Sequence, residues 1–309
     1  MNSIEDCLNK VKNDCYKFIK TQEISSDKFK KKDKMLKAFL IPISFWIAKK
    51  TNRKKPLIVG LTGGQGTGKT TISSILMIIL KKYFKLNTFK ISIDDIYKTR
   101  EDRVKLSKKI HPLLLTRGVP GTHDLNYLSN FLKKINSRKF QSIKLPRFDK
   151  AKDDRFPKTK WYKINKRPDI IIFEGWCVGA RPERLRTLNK HVNLMEKVDD
   201  NKLIWRKYVN TQLKKNYKEL FSKIDCLLFL RAQNFRSLQK WRVIQEKKLK
   251  IEHKNKKTIQ KIMTRKEVLD FMQTYQRITQ NMFKTASNYA SIVLKLNSNH
   301  QINSVKYNQ

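Results

Sequence analysis

Apolar residues Ile4, Leu8, Val11, Cys15 and Phe18 recur every three or four positions near the start of the chain, the period of an amphipathic helix. A second helical segment follows to about Ala48. It is expected to break or kink at Pro42, because proline lacks the amide hydrogen and its ring collides with the preceding turn. The basic stretch Thr51–Pro56 reads as a linker. The pattern then changes: Leu57–Thr62, LIVGLT, is apolar without alternation, as in a strand covered on both faces. Ile72, Ile75, Leu76, Ile79 and Leu80 follow at helical spacing. Phe89–Ile93, Ile170–Phe173, Cys226–Leu230 and Ser291–Leu296 read as further strands, with helical stretches between most of them. Thr264 and Glu267 form a capping-box pattern ahead of the stripe Val268, Phe271, Met272, Tyr275, Ile278 and Met282. Strands alternating with helices predict a parallel sheet of five strands. The chain thus divides into an N-terminal helical extension, residues 1–56, and an α/β domain, residues 57–309. The stretch 98–167 fits worst, being rich in Arg, Pro, Gly and His with few long apolar stripes; it reads as a loop, and a loop that long is usually functional, here a substrate-binding insertion.

Composition narrows this picture. With 39% hydrophobic residues among 309, the chain carries enough apolar material for a packed core. Lys plus Arg number 70 against 26 Asp plus Glu, a formal charge of +44, which favours acidic partners. The lysines are spread throughout, with denser runs at Lys28–Lys37 and Lys247–Lys261, so the charge reads first as solvated surface. Weak, salt-sensitive affinity for nucleic acid is the competing reading, and no stable nucleic-acid partner is expected. Cys7, Cys15, Cys177 and Cys226 form no CxxC pair, so reduced thiols are expected rather than disulfides or a zinc site. The first residues show no secretory pattern. Met35–Ala48, the longest apolar stretch, is interrupted by Lys37 and Pro42 and falls short of the roughly 18–20 residues of a membrane span. A soluble, cytoplasmic protein is expected.

The chemistry begins directly after the first strand. Gly63-Gly64-Gln65-Gly66-Thr67-Gly68-Lys69-Thr70 fits G-x-x-x-x-G-K-[ST], with a strand before and a helix after. Such glycines let backbone amides turn inward around phosphate oxygens, Lys69 supplies a point charge, the Thr70 hydroxyl can ligate Mg²⁺, and the helix presents its positive end. Together with the strand–helix order this predicts a P-loop NTPase three-layer sandwich, a five-stranded parallel sheet flanked by helices, with the helical extension added. No NKxD guanine motif and no DExD/H box occurs, which argues against a GTPase switch and a helicase.

Two acidic positions close later strands. Asp94-Asp95 ends the second in ISIDDIY, and Glu174 ends the third in IIIFEGW. Ligands of open parallel sheets sit at these strand ends. Asp94 is there able to take a proton from a substrate hydroxyl or to hold Mg²⁺ through water. Asp95 reads equally as a neighbour of the site or as a helix cap. Glu174 is the second candidate metal residue beside Thr70 and Asp94, whereas Asp169, at the other end of its strand, reads as structural.

ISIDDIYKTR, HPLLLTRGVPGTHD (His111–Asp124), LPRFDKAKDDR (Leu145–Arg155), FEGWCVGARP (Phe173–Pro182) and FLRAQNFRSLQKWRVIQE (Phe229–Glu246) resemble the D-glycerate 3-kinase family. The similarity runs from about Leu57 to Leu296, and more distantly extends to uridine kinase, phosphoribulokinase and pantothenate kinase. It implies phosphorylation of the 3-hydroxyl of D-glycerate, dependent on ATP and Mg²⁺. It also implies that Gly63–Thr71 bind the phosphates, with Lys69 and Thr70 in the roles above, and that Asp94 matches the catalytic base of the uridine-kinase pattern. D-glycerate needs a cation for its carboxylate and acceptors for its hydroxyls, and Arg117, His123, Asp124, Arg147 and Lys150 offer such groups. Residues 231–262 read as a lid, with Arg231 and Arg242 as candidates to neutralise the transferring phosphoryl. Trp176 and Trp241 are candidates to line the site, and Trp205 to pack in the core. Two alternatives stand beside this reading: a kinase of the same fold with a nucleoside, pantothenate or sugar phosphate as acceptor, and a basic P-loop ATPase that binds nucleic acid.

Overall fold

The structure, a computed structural model, describes residues 3–23, 29–52, 54–137, 139–254 and 263–308. α1, Ile4–Thr21, starts where Ser3 Oγ accepts the Asp6 amide at 3.0 Å, and it buries Cys7, Leu8, Val11, Cys15 and Ile19. α2, Lys32–Met35, runs into one π turn, Leu36–Leu40, and continues as α3, Ile41–Lys50. The expected break at Pro42 is thus a widened turn: the π geometry takes up the missing amide while the helix carries on. All three helices share one core with the helix that follows the first strand.

β1, Leu57–Gly63, lies at the centre of a six-stranded sheet, and α4, Lys69–Lys82, follows it. β2 is Thr88–Ser92. The segment 98–167, expected as loop, folds into α5, Arg100–Lys109, α6, Leu125–Ile135, and two small antiparallel ribbons. β3, Ile143–Leu145, pairs with β6, Tyr162–Ile164, and β4, Phe148–Asp149, pairs with β5, Asp154–Arg155. What organises it is a buried cation. The Arg103 guanidinium donates to the carbonyls of Leu115 and Asp153, each at 2.6 Å, and pairs with the Asp153 carboxylate at 3.0 Å.

β7, Ile170–Gly175, is followed by α7, Leu194–Val198, and α8, Ile204–Gln212. A π turn over Leu213–Tyr217 leads into α9, Lys218–Phe221. β8, Cys226–Arg231, precedes α10, Phe235–Lys254, and the described part of the lid region ends with that helix; its remainder, 255–262, lies outside the described residues. α11, Arg265–Thr285, opens on the expected capping box: Thr264 and Glu267 exchange hydrogen bonds of 2.7 and 3.2 Å. β9, Ile292–Leu296, and β10, Ile302–Tyr307, complete the sheet.

The strand order is β10-β9-β8-β1-β7-β2. The five expected strands are parallel, and β10 adds an antiparallel edge. Alternate residues of the apolar strands serve two cores. Val59, Leu61, Ile172 and Leu228 face α1, α3 and α4, whereas Ile58, Ile171, Phe173 and Phe229 face α6, α8 and α11. This double burial is why these strands read as continuous apolar runs. Among the described residues no helix is long and apolar enough to cross a membrane.

Candidate active site

Gly63 to Thr70 span the turn from β1 into α4. Gly66 has φ 78°, and any Cβ there would lie 3.0 Å from that of Trp241, so glycine both allows the turn and lets α10 press onto it. Thr67 Oγ1 donates to the Gly64 carbonyl at 2.8 Å, which tightens the loop. The Lys69 ammonium donates to the carbonyls of Gly63 and Gly64 at 2.8 and 3.1 Å. Burial lowers its pKa, and Glu174 and Asp94 oppose that shift. Thr70, in the first turn of α4, donates its hydroxyl to Glu174 Oε1 at 3.3 Å. Glu174 is buried at the end of β7, in register with Leu61 of β1 and Ser92 of β2. Burial raises its carboxyl, against the pull of Lys90, Lys69 and the Thr70 hydroxyl.

Asp94 belongs to a single 3₁₀ turn, Ile93–Ile96, that ends β2 and is capped by Ser92, whose Oγ accepts the Asp94 amide at 3.3 Å. Its carboxylate is half-buried. Oδ1 accepts the Tyr97 hydroxyl at 2.7 Å, and Oδ2 meets the Lys150 ammonium at 3.5 Å. Burial works to raise this carboxyl, but Lys150, the Tyr97 hydroxyl and Lys69 together hold it below the usual carboxylate range. Asp95 turns to the insertion instead and accepts the Phe148 amide at 3.3 Å.

The five residues expected to meet the substrate divide. Lys150 reaches Asp94 directly. Arg117 stands beside it: it donates to the Lys150 carbonyl at 3.4 Å, pairs with Asp153 and covers the Phe148 ring. His123 is buried behind Tyr97, ring stacked on ring at 4.7 Å, and its Nδ1 shares a 2.5 Å hydrogen bond with the Tyr217 hydroxyl while Nε2 has no partner among the described residues. Burial depresses its pKa to about 4, so the imidazole is neutral and cannot serve as a cation for a carboxylate. Asp124 caps α6 through the Tyr127 amide at 3.0 Å and pairs with Arg155 at 2.9 Å. Arg147 lies over the rings of Phe156 and Tyr162 and donates to the Lys160 carbonyl, contacts wholly inside the insertion.

Of the two lid arginines, Arg242 follows Trp241 on the face of α10 that packs on Gly66, and its guanidinium pairs with the buried Glu246 at 2.5 Å. Arg231 ends β8 and reaches the Phe283 carbonyl at 3.5 Å. Trp176 donates its indole N–H to the Gly118 carbonyl at 2.9 Å, and Trp205 is buried in α8.

Sequence reasoning overlooked Tyr97, Tyr217 and the role of Tyr275. A 3₁₀ turn has three residues per turn, so the spacing from Asp94 to Tyr97 was a usable signal. Tyr275 read as core stripe. It is buried, stands edge-on to Trp176 at 4.7 Å, and its hydroxyl reaches the Arg117 carbonyl at 3.4 Å. A phenol in an apolar stripe needs such a partner, which is the clue it offered. Tyr217 binds across 94 positions to His123, and nothing local announces that contact. Among the described residues no three His, Cys, Asp or Glu gather as a metal cluster.

No family model matches the chain. It is 34% identical over 230 residues to the "Uncharacterized kinase mug58" of Schizosaccharomyces pombe, covering 72% of this chain and 79% of that one. It is 30% identical over 281 residues to the "Probable ATP-dependent kinase TDA10" of Saccharomyces cerevisiae, covering 83% and 90%. The solved structure of a D-glycerate 3-kinase from Cryptococcus neoformans var. grubii superimposes with a TM-score of 0.72 at 25% identity, covering 88% of this chain and 99% of that one.

Proposed function

The chain belongs to the family of phosphate-loop kinases that includes the D-glycerate 3-kinases, and on that premise we propose that it transfers the γ-phosphate of ATP to the 3-hydroxyl of D-glycerate, giving 3-phosphoglycerate. The observation that carries the acceptor assignment is Lys150 at 3.5 Å from Asp94, an exposed ammonium beside a half-buried carboxylate. A hydroxy acid needs both: an oxygen to take its hydroxyl proton and a cation for its carboxylate. A neutral nucleoside has no use for the second.

The amides of Gly63–Thr71 and the Lys69 ammonium take up the triphosphate, aided by the positive end of α4. Thr70 and Glu174 fit Mg²⁺, because they are hard oxygen donors 3.3 Å apart and this ion commonly takes its remaining ligands from water and phosphate. When bound, the ion supplies positive charge to the β- and γ-phosphate oxygens. Asp94, grouped with those two residues on sequence grounds, is here assigned to the acceptor. It orients the attacking hydroxyl and receives its proton. Lys150 and the neighbouring Arg117 take the acceptor carboxylate. Arg242, whose backbone amide lies against Gly66 of the phosphate turn, is assigned to the transferring phosphoryl. Catalysis by such a site is positioning and electrostatics.

ADP release measured with D-glycerate, uridine, pantothenate and ribulose 5-phosphate tests the reading. Turnover with D-glycerate, and 3-phosphoglycerate as its product by phosphorus NMR, is the expected result. Turnover confined to another acceptor overturns the substrate and leaves the kinase family intact. RNA binding that survives about 0.2 M salt, with no acceptor phosphorylated, would overturn the kinase reading itself.

A further inference from the structure

We infer that Tyr97 is a positioning residue that divides the labour of the two Asp94 oxygens: its hydroxyl holds Oδ1, and Oδ2 alone is left to receive the acceptor's proton. The inference rests on Asp94 as the base proposed above. A free carboxylate rotates, and either oxygen can face the acceptor. Here Oδ1 is engaged at 2.7 Å by a phenol, whereas among the described residues Oδ2 meets only the looser ammonium of Lys150 at 3.5 Å.

The phenol itself is fixed from several sides. Tyr97 is buried. Its ring stacks on His123 at 4.7 Å with 24° between planes, and Phe148 meets it edge-on at 5.1 Å. Its backbone forms an antiparallel bridge to His123, flanked by bonds from the Asp124 amide to Ile96 at 2.7 Å and from the Lys98 amide to Thr122 at 2.9 Å. His123 is held in turn by Tyr217, whose hydroxyl also accepts the Gly121 amide at 3.0 Å. Burial pushes the Tyr97 phenol well above its ordinary pKa, so it keeps the proton it donates. A rigid column of Tyr217, His123 and Tyr97 therefore stands behind Asp94. It gives buried His123 a structural use without any contact to substrate.

The consequence for the reaction is specific. Lys150 leaves Oδ2 for the acceptor carboxylate, and the acceptor hydroxyl takes its place. The hydroxyl oxygen bonds to the γ-phosphorus, its proton passes to Oδ2, and the bond from the γ-phosphorus to the β–γ bridging oxygen breaks. ADP leaves with that electron pair.

Tyr97→Phe removes one oxygen and keeps the ring, so it separates positioning from packing. With ATP and D-glycerate, kcat is expected to fall about tenfold, as for loss of one hydrogen bond to a charged group, with both KM values within about twofold of wild type. In an Asp94→Asn background the same change should have no further effect on the residual rate. A crystal structure of Tyr97→Phe should show the Asp94 carboxylate turned onto Lys150. Unchanged kcat together with an unmoved Asp94 would overturn the inference, as would an equal loss in the Asp94→Asn background. If wild type uses another acceptor instead of D-glycerate, the substrate reading falls and the variant-to-wild-type ratio on that acceptor decides this one. If it uses none, the same ratio for ATP hydrolysis by water, with the orientation of Asp94 in the crystal, decides it.

Discussion

The sheet and the insertion at 98–167 solve the same problem by opposite means. Both hold a carboxylate-bearing strand end in place. The sheet does so with redundancy: β1 and β7 are buried along their whole length, and each residue is one of many in two cores. The insertion lends the second core one face of α6, through Leu128, Phe131 and Leu132, but its loops and ribbons close around a few charges, with Arg103 fully buried against Asp153 and two carbonyls, and Asp124 paired to Arg155. Apolar packing tolerates the loss of a methyl group, whereas a buried charge that loses its partner has nowhere to go. The proposed nucleotide side of the site is thus built on the tolerant region, and the proposed acceptor side on the exacting one.

Four measurements sharpen or break this contrast. The largest effect belongs to the point where the two regions meet. Asp94→Asn should lower acceptor phosphorylation about a thousandfold while ATP binding by calorimetry stays near wild type. Near-normal turnover would remove Asp94 from the mechanism. Next comes Arg103→Met, which takes the buried donor from the carbonyls of Leu115 and Asp153, while the Asp153 carboxylate keeps Arg100 and Arg117, at a cost of about 1–3 kcal/mol concentrated in the insertion. Limited proteolysis should then cut within 98–167, and the acceptor KM should rise while ATP affinity holds. Cleavage spread evenly over the chain would show that the insertion is not a separate unit of stability. Ile172→Val in the sheet should cost only about 0.5–1.5 kcal/mol by denaturant unfolding and leave both substrate affinities alone. At the bottom of the scale, Lys105→Ala breaks an exposed 2.6 Å pair with Glu101 on α5, and no change in Tm should be measurable. A clear shift there would mean that surface charge supports the insertion as well.

The same contrast explains what could be read from the amino acids. β1, β7, β8 and the helix after the phosphate turn announce themselves because double burial writes apolar runs and stripes into the local sequence. Lys69, Thr70 and Glu174 were legible for the same reason, being fixed by their place after strands. β10 was missed: an edge strand, INSVKY leaves most of its residues partly or fully exposed and has no apolar run to show. α5 and α6 were hidden in a segment read as loop. The anchor there, Arg103, looks like any other arginine until Leu115 and Asp153 are brought to it from 12 and 50 positions away. Asp124 looked like a ligand residue because its chemistry suits one, although a helix cap wants the same carboxylate. His123 looked polar and available, and only tertiary structure put it behind Tyr97.

The three N-terminal helices form a continuous core with α4, through residues such as Val11, Cys15, Ile43 and Ile75. The helix whose first turn bears Lys69 and Thr70 is therefore wedged between the sheet on one side and this extra layer on the other. An anion docking on the amino end of α4 pushes against a rod that is braced along its length. The stiffness with which this kinase would grip a triphosphate is borrowed from the helices packed along the back of α4.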